Sequence, residues 1–317
     1  MDLLLAKLII TLRLHAEVFD PYALFALKGD FAQSFRQAVC QAGGLCASCE
    51  RSSKCPCPAT FSRELASDPA AVKRHQKPSL PFVFQIPVLP MPSAKGSEVE
   101  LSLVLVGSAT QYLSEYWQAL QQLFRPDIPR SSFPFSIVRL ESAGCCGFRT
   151  LLVRESGPLT SDMLTTISFD DLVALNTLDS KRISLRIVTP LRLARDGSFL
   201  KEYSFSLFFR TLLRRISSLA YYYYGSILEM DFKRLSAQSE AIILAESCFR
   251  WQEWHKGRLC GIIGTGILAG DLSDFHPALL LGEYLNCGKD APFGLGRYEL
   301  AREPAGGSHG VAPAAFQ

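Results

Sequence analysis

The tightest constraint on this chain is the placement of its glycines. Between Gly257 and Gly296, 40 residues carry 9 of the 22 glycines, where an even spread would place about 3. Glycine accepts positive φ and lets backbone pass close to other backbone or to a ligand. The C-terminal quarter is therefore shaped for close backbone approach, which favours a binding role for its loop. Residues 281–300, LGEYLNCGKDAPFGLGRYEL, concentrate the effect. Gly288-Lys289 and Phe293-Gly294-Leu295-Gly296-Arg297 put small residues, two cations and an aromatic into one short loop. Successive exposed N–H groups form an anion-binding nest, to which Lys and Arg add charge. The competing reading is a glycine-rich hairpin turn whose charges are incidental.

The 317 residues suit two domains of ordinary size. A composition 48% hydrophobic and 20% charged excludes a disordered chain. Net charge is only +3, so any nucleic-acid contact has to come from local basic patches rather than a global field. No apolar run approaches the ~20 residues of a membrane span. The opening, MDLLLAKLIITLRLH, is broken by Asp2, Lys7 and Arg13 and lacks a small-residue cleavage site. A soluble, cytoplasmic protein with no membrane partner is expected. Five of the ten cysteines, Cys40, Cys46, Cys49, Cys55 and Cys57, fall within 18 residues. In a reducing compartment such clustering argues for metal before disulfides. Cys46-x2-Cys49 has knuckle spacing, and the other three are flanking candidates for a structural zinc; free thiols are the alternative.

Apolar alternation with β-branched residues predicts a strand over 8–19. Asp20-Pro21 reads as N-cap and first helical position of a helix over 22–41, with Phe25, Phe31, Phe35 and Val39 at helical spacing. Residues 43–58 form a Cys-rich loop, and the basic run 67–81 (Lys73, Arg74, His75, Lys77) reads as irregular, with His75 solvated. Strands over 82–89 and 98–107, a helix capped by Thr110 and running to Phe124, and strands over 133–142 and 147–154 complete a first unit. After a connector at 155–180, Ile183-Ser184-Leu185-Arg186-Ile187 repeats the pattern of Ile10-Thr11-Leu12-Arg13-Leu14 and again leads into a helix. That helix, 203–223, has one apolar face and a basic remainder in Arg210, Arg214 and Arg215. Strands over 241–250 and 259–269, a helix over 275–284 and a strand at 297–300 follow, then a disordered tail, 301–317. The result is an α+β chain of two similar units, 1–160 with a Cys-rich insertion at about 40–58, and 181–300.

Three motif matches fail on context. Gly282-x5-Gly288-Lys289-Asp290 is one residue too long for a P-loop and has Asp in place of Ser/Thr. Gly264-x-Gly266 with Gly270 lacks the helix of a dinucleotide fingerprint. Gly306-x-Ser308-x-Gly310 lies in the tail with no strand before it. No HExxH and no carboxylate cluster suited to two-metal chemistry is present.

The C-terminal half resembles the CRISPR-associated RAMP endoribonucleases that process precursor CRISPR RNA. The resemblance is carried by Thr189-Pro190-Leu191-Arg192, by Leu212-Leu213-Arg214-Arg215-Ile216, by Gly261 and Gly264 with Gly270-Asp271, and by Leu281-Gly282-Glu283-Tyr284 leading to Phe293-Gly294-Leu295-Gly296-Arg297-Tyr298. The N-terminal half matches more loosely, through the opening strand, Leu27-Lys28-Gly29 and the Cys-rich stretch. The resemblance implies two tandem ferredoxin-like (RRM-like) domains and binding of CRISPR repeat RNA. It also implies cleavage without a catalytic cofactor: the 2′-OH attacks the adjacent phosphate and leaves a 2′,3′-cyclic phosphate and a 5′-OH. Other CRISPR effector subunits are implied partners of the mature crRNA. The alternative within the same superfamily is a catalytically inactive RAMP subunit that binds and presents guide RNA.

That chemistry needs a base near the 2′-OH, an acid near the 5′-oxygen and a cation at the phosphorane. Family members commonly carry a His on or near the first helix, and here helix 22–41 has none. The catalytic candidates are His15 at the end of the first strand, Lys28 for the phosphorane, Tyr22, and His255 in the segment Trp251–His255. Candidates for holding RNA are Arg36, Arg210, Arg214, Arg215, Lys256, Arg258, Gly288, Lys289, Gly294, Gly296 and Arg297.

Overall fold

The computed structural model describes residues 3–40, 49, 55–62, 64–75, 77–125, 134–154, 157–227 and 230–301. In the first half, β1 (Leu4–Leu14) is followed by α1 (Leu27–Val39), α2 (Pro56–Phe61), α3 (Pro69–His75), β2 (Phe82–Gln85), β3 (Glu98–Val106), α4 (Leu113–Leu123), β4 (Phe135–Ala143) and β5 (Arg149–Arg154). The short β6 (Ile167–Ser168) and α5 (Phe169–Ala174) lead out of it. The second half runs β7 (Arg182–Leu191), β8 (Ala194–Arg195), β9 (Ser198–Phe199), α6 (Phe205–Tyr224) and α7 (Phe232–Gln238). It continues through β10 (Ile243–Ser247), β11 (Arg250–Trp254), β12 (Leu259–Ala269), α8 (His276–Leu285) and β13 (Tyr298–Leu300).

The first sheet has the order β2-β3-β1-β4-β5, with β6 on the end of β1; the second has β10-β12-β7-β13, with β11 on β12. The four strands β2-β3-β1-β4 and the four strands β10-β12-β7-β13 follow one permutation, with a helix after the first and third strands of each set. Both are ferredoxin-like folds, and they stand in tandem. Every pairing in the two sheets is antiparallel.

Period-2 alternation explains how the halves join. Ala6, Leu8, Ile10, Leu12 and Leu14 of β1 point into a core closed by Phe31 and Phe35 of α1 and Tyr116, Trp117 and Leu120 of α4. Phe31 lies at the centre of an edge-to-face aromatic group, 4.8 Å from Phe84 and 5.2 Å from Phe82. The opposite face of the same sheet places Leu5, Val83, Val104 and Val106 into the second core, with Phe208, Leu212, Leu279 and Leu285 from α6 and α8. The first sheet is therefore buried on both faces at this end, and the second core takes side chains from both domains.

The structure departs from the sequence reading at several elements. The first strand stops at Leu14, and the expected helix start is a 3-10 turn, Ala23–Ala26, with α1 beginning only at Leu27. Asp20 still caps locally, its Oδ1 accepting from the Tyr22 N–H at 2.9 Å. Thr110 does not cap α4; it lies in a 3-10 segment and its hydroxyl donates to the Gly107 carbonyl. The run 67–81 holds a helix, α3, and His75 is buried rather than solvated. The connector 155–180 contributes β6 and α5, and α7 was not expected at all. The expected disordered tail lies outside the described residues from 302 onward. Among the described residues, no helix is long and apolar enough to cross a membrane.

Candidate nucleic-acid site

The glycine loop is organised by its own chain. Its first cation, Lys289, donates its N–H to the Arg192 carbonyl at the end of β7, and Gly296 donates to the Pro190 carbonyl. Thr189 Oγ1 donates to the Gly294 carbonyl at 2.7 Å and accepts from the Arg297 N–H at 2.8 Å. Buried Asn286 ties the loop to the first domain, with Nδ2 donating to the carbonyls of Phe84 and Ala291. The glycines are needed for these contacts. A Cβ on Gly288 would lie 2.5 Å from the Arg192 carbonyl oxygen, and one on Gly294 would lie 2.7 Å from the Ile86 side chain. Gly296, at φ +65°, would drive a Cβ into the Cys287 carbonyl oxygen. These three residues, read from sequence as RNA-holding, are spent on packing the loop against β7 and β2; what the loop offers outward is side-chain charge.

That charge meets the first domain at the start of α1. Lys28 Nζ sits 2.8 Å from Asp290 Oδ2, and the same carboxylate oxygen receives Arg192 at 3.2 Å. Arg192 is almost fully buried, and its other nitrogens donate to the carbonyls of Cys260 and Arg258. Asp290 thus ties α1, β7 and the β11–β12 hairpin to one point. Lys28 remains half exposed, as a cation that has to meet a ligand must be. Lys289 extends beside it over the Phe199 ring, 5.2 Å from the centroid.

A second link joins the same two elements. His255 Nε2 lies 3.2 Å from Asp20 Oδ1, just before α1. The Tyr22 ring packs against Trp254 with centroids 4.6 Å apart. His255 and Lys256 both hold positive φ, 52° and 55°, which is uncommon for non-glycine residues and concentrates at functional or turn positions. His255, Lys256 and Arg258 are exposed. Tyr22 is buried, and burial, followed by the neighbouring Asp20, pushes its phenol above the ordinary range. Its hydroxyl stays protonated, and its ring seats the hairpin against α1.

The remaining candidates fall in three places. His15 is exposed beyond the end of β1, where its N–H donates to the Pro134 carbonyl. Among the described residues, no hydrogen bond or ion pair ties its side chain to Lys28, Tyr22 or His255. Arg36 is exposed two turns along α1 from Lys28. Arg297 pairs with Glu299 at 2.8 Å. It faces Lys7 of β1, whose pKa is lowered by burial and then by Arg297. Arg210 and Arg214 lie on the open side of α6. Arg215 is a correction: it is buried, its Nε donates to the Leu285 carbonyl at 2.9 Å, and burial pulls its guanidinium down to about 10. It braces the C-terminus of α8 and faces no solvent.

Of the expected zinc ligands, Cys46 lies outside the described residues, Cys40, Cys49 and Cys55 are half-buried, and Cys57 is buried. Among the described residues no group of three or more His, Cys, Asp or Glu is placed to hold a metal. Sequence reasoning passed over Asp20, Arg192 and Asp290. Asp290 was noticed only for spoiling a P-loop match, although a lone acid between Lys289 and a glycine turn is itself a pairing signal.

A family model described as the AF_1859_N N-terminal domain matches residues 3–162, and one described as CRISPR-associated endoribonuclease Cas6 matches residues 185–298. No curated protein matches the chain. A solved Cas6 substrate mimic complex superposes with a TM-score of 0.54 at 14% identity, covering 94% of this chain and 99% of that one. Thermus thermophilus Cas6 gives 0.51 at 16% identity over 95% and 100%. A partial Cas6-RT-Cas1–Cas2 complex gives 0.59 at 12% identity over 98% of this chain and 48% of the other. At these identities the solved structures establish a shared fold.

Proposed function

This chain belongs to the Cas6 family of CRISPR-associated RAMP endoribonucleases, and we propose that it binds CRISPR repeat RNA and cuts precursor crRNA by attack of the 2′-OH on the adjacent phosphate. In this reaction the O2′–P bond forms as the P–O5′ bond breaks. The 2′-OH proton goes to a base, the 5′-oxygen gains a proton, and the products are a 2′,3′-cyclic phosphate and a 5′-OH. The observation that carries the reading is the junction of α1 with the glycine loop and hairpin: Lys28 on Asp290 and His255 on Asp20. It gathers an exposed ammonium and an exposed imidazole at a place where both domains supply charged side chains.

Lys28 is assigned to the phosphorane. Its charge is greatest in value where negative charge grows on the non-bridging oxygens. His255 is oriented by Asp20, and imidazole suits either proton transfer near neutral pH. His15 is the further candidate base, reaching the RNA from the end of β1. Arg36, Lys256, Arg258, Lys289 and Arg297 hold backbone phosphate around this point, and Arg210 and Arg214 do so on α6. Cleavage proceeds with no metal or other cofactor, and the mature crRNA passes to other CRISPR subunits.

One feature favours a second reading: α1 contains no histidine, which suits a RAMP subunit that binds guide RNA without cutting it. Incubating the protein with its cognate repeat RNA in EDTA separates the two. Product ending in a cyclic phosphate supports the endoribonuclease, whereas tight binding with no product leaves the binding subunit. His15→Ala and Lys28→Ala test the site in the same assay, and an unchanged rate in both removes the assignment.

A further inference from the structure

The polar side of α6 lines a cavity that the junction at α1 does not use. About 380 Å³ in volume, it is lined by Arg210, Leu213, Arg214 and Ser217 of α6, by Lys73 of α3, and by Phe232 and Ser236 of α7. That size is at the lower end of small-ligand sites. We propose that this cavity is a phosphate subsite for a nucleotide of single-stranded RNA, anchoring the chain on the far side of α6 from the scissile bond. The proposal rests on the RNA-processing reading above.

Helical phase puts the two sites on opposite faces. At about 100° per residue, Arg210, Arg214, Ser217 and Tyr221 form one stripe of α6. Phe208, Leu212, Arg215 and Leu219 form another, about 160° away. The second stripe is the one that meets the loop region: Arg215 holds the Leu285 carbonyl, and the Phe208 carbonyl accepts from Cys287 Sγ. The cavity is therefore separated from the glycine loop by the ~10 Å body of a helix.

The cavity is built rather than left over. His75 of α3 stacks on Tyr221 with ring centroids 4.3 Å apart and hydrogen-bonds Ser217 Oγ at 2.7 Å. Ser218 Oγ donates to the Lys77 carbonyl and accepts from the Ser79 N–H. These contacts fix α3 of the first domain along α6 of the second, and they carry Lys73 to the cavity wall. Arg210 is held in place by its own helix, Nε donating to the Ser206 carbonyl and Nη to Ser206 Oγ.

The charges there lack compensation. Arg210 reaches only the exposed Glu240, at 3.8 Å. No ion pair among the described residues engages Lys73 or Arg214, both of which are exposed. Three cations converging on one hollow repel one another, and an anion bound between them relieves that repulsion. Arginine forks match phosphate oxygens bidentately. Phe232 gives apolar surface on which a base rests, and Ser236 adds a hydroxyl. Phosphate with an attached base or sugar is the chemistry that fits.

The test compares Lys73→Ala, Arg214→Ala and the double variant with Lys233→Ala, which removes an equal charge from an exposed position on α7 outside the cavity. The probes are a labelled oligouridylate lacking any repeat sequence, uridine 5′-monophosphate and inorganic phosphate. Binding of the oligouridylate should weaken, and the slope of log K against log salt should flatten by about 0.7 for each lost phosphate contact, with Lys233→Ala unchanged. Loss confined to uridine 5′-monophosphate and phosphate would keep the phosphate subsite but assign it to a free nucleotide. Equal behaviour of cavity variants and Lys233→Ala on all three probes overturns the proposal. Because the oligouridylate readout does not depend on cleavage, a wild-type protein that fails to cut repeat RNA refutes the endoribonuclease reading and leaves the cavity measurement standing.

Discussion

Removing the Lys28 ammonium should uncouple stability from activity. The Lys28–Asp290 contact is short, 2.8 Å, but the Lys28 side chain is 51% exposed. Ion pairs of that exposure contribute about 0.2–1 kcal/mol. Asp290 also keeps its second partner, Arg192, at 3.2 Å from the buried side, so Lys28→Ala leaves no carboxylate stranded. The expected loss of folding free energy is therefore at most about 1 kcal/mol. The catalytic expectation is larger. Deleting one preorganised donor to a developing oxyanion costs on the order of 10²-fold in rate, about 2.7 kcal/mol. The assay is single-turnover cleavage of repeat RNA at saturating protein in EDTA, run beside urea denaturation of the same preparation. A rate reduced 10²-fold or more with a near-native denaturation midpoint supports the phosphorane assignment. A wild-type rate, or a rate loss matched by an equal loss of stability, refutes it. Asp290→Ala is the control with opposite weighting. It strips Arg192 of its carboxylate inside the protein, so its cost should fall mainly on stability and exceed that of Lys28→Ala.

Arg215→Ala should cost roughly 2 kcal/mol or more by removing a buried side chain and its bond to Leu285. It should leave the salt dependence of RNA binding unchanged, and a flatter salt slope would show that Arg215 reaches phosphate after all. Gly296→Ala should destabilise by more than about 2 kcal/mol, since the left-handed conformation and the overlap with a backbone oxygen both oppose a Cβ. Urea midpoints check it, and an unmoved midpoint removes the packing role given to that glycine. If the cysteine cluster holds zinc, elemental analysis of protein purified with zinc should find one metal per chain, lost on Cys46→Ser; zinc-free wild-type protein ends that expectation.

Most of the fold was legible because it is carried by local periodicity. Alternation in β1 and β7 and the apolar stripe of α6 are properties of short windows, and the ferredoxin-like permutation follows once helices alternate with strand pairs. The misses have two causes. Residues 67–81 are largely polar, and the helix signal within them, Asp68-Pro69 before Ala70-Ala71, is short. The helix forms because Ser217, Ser218 and Tyr221, roughly 140 residues later, give α3 a surface to dock on. The seven residues of α7 are too few for a periodic signal, although Asp231, whose side chain accepts from the Arg234 N–H, was a readable cap. The site divides in the same way. Lys28 became a candidate through its neighbours Leu27 and Gly29 in a family pattern, while Asp290 acquires its pairing only from partners on α1 and at the end of β7, distant in sequence.

Arg214 and Arg215 show that one part of the site was readable and was misread. Taken as charge alone, the two residues are alike, and both were assigned to RNA. Helical phase separates them without any structure. Arg215 stands three residues after Leu212 and four before Leu219, so the period that makes α6 amphipathic places it inside the apolar stripe. Arg214 stands four residues after Arg210, on the opposite side of the helix, where it is exposed. A cation on a buried stripe has to find an acceptor within the protein, because its desolvation is costly otherwise; here the acceptor is the carbonyl of Leu285, at the end of α8. Adjacent arginines thus lie on opposite sides of one helix: Arg215 holds the approach to the glycine loop in shape, and Arg214 keeps its charge on the exposed side.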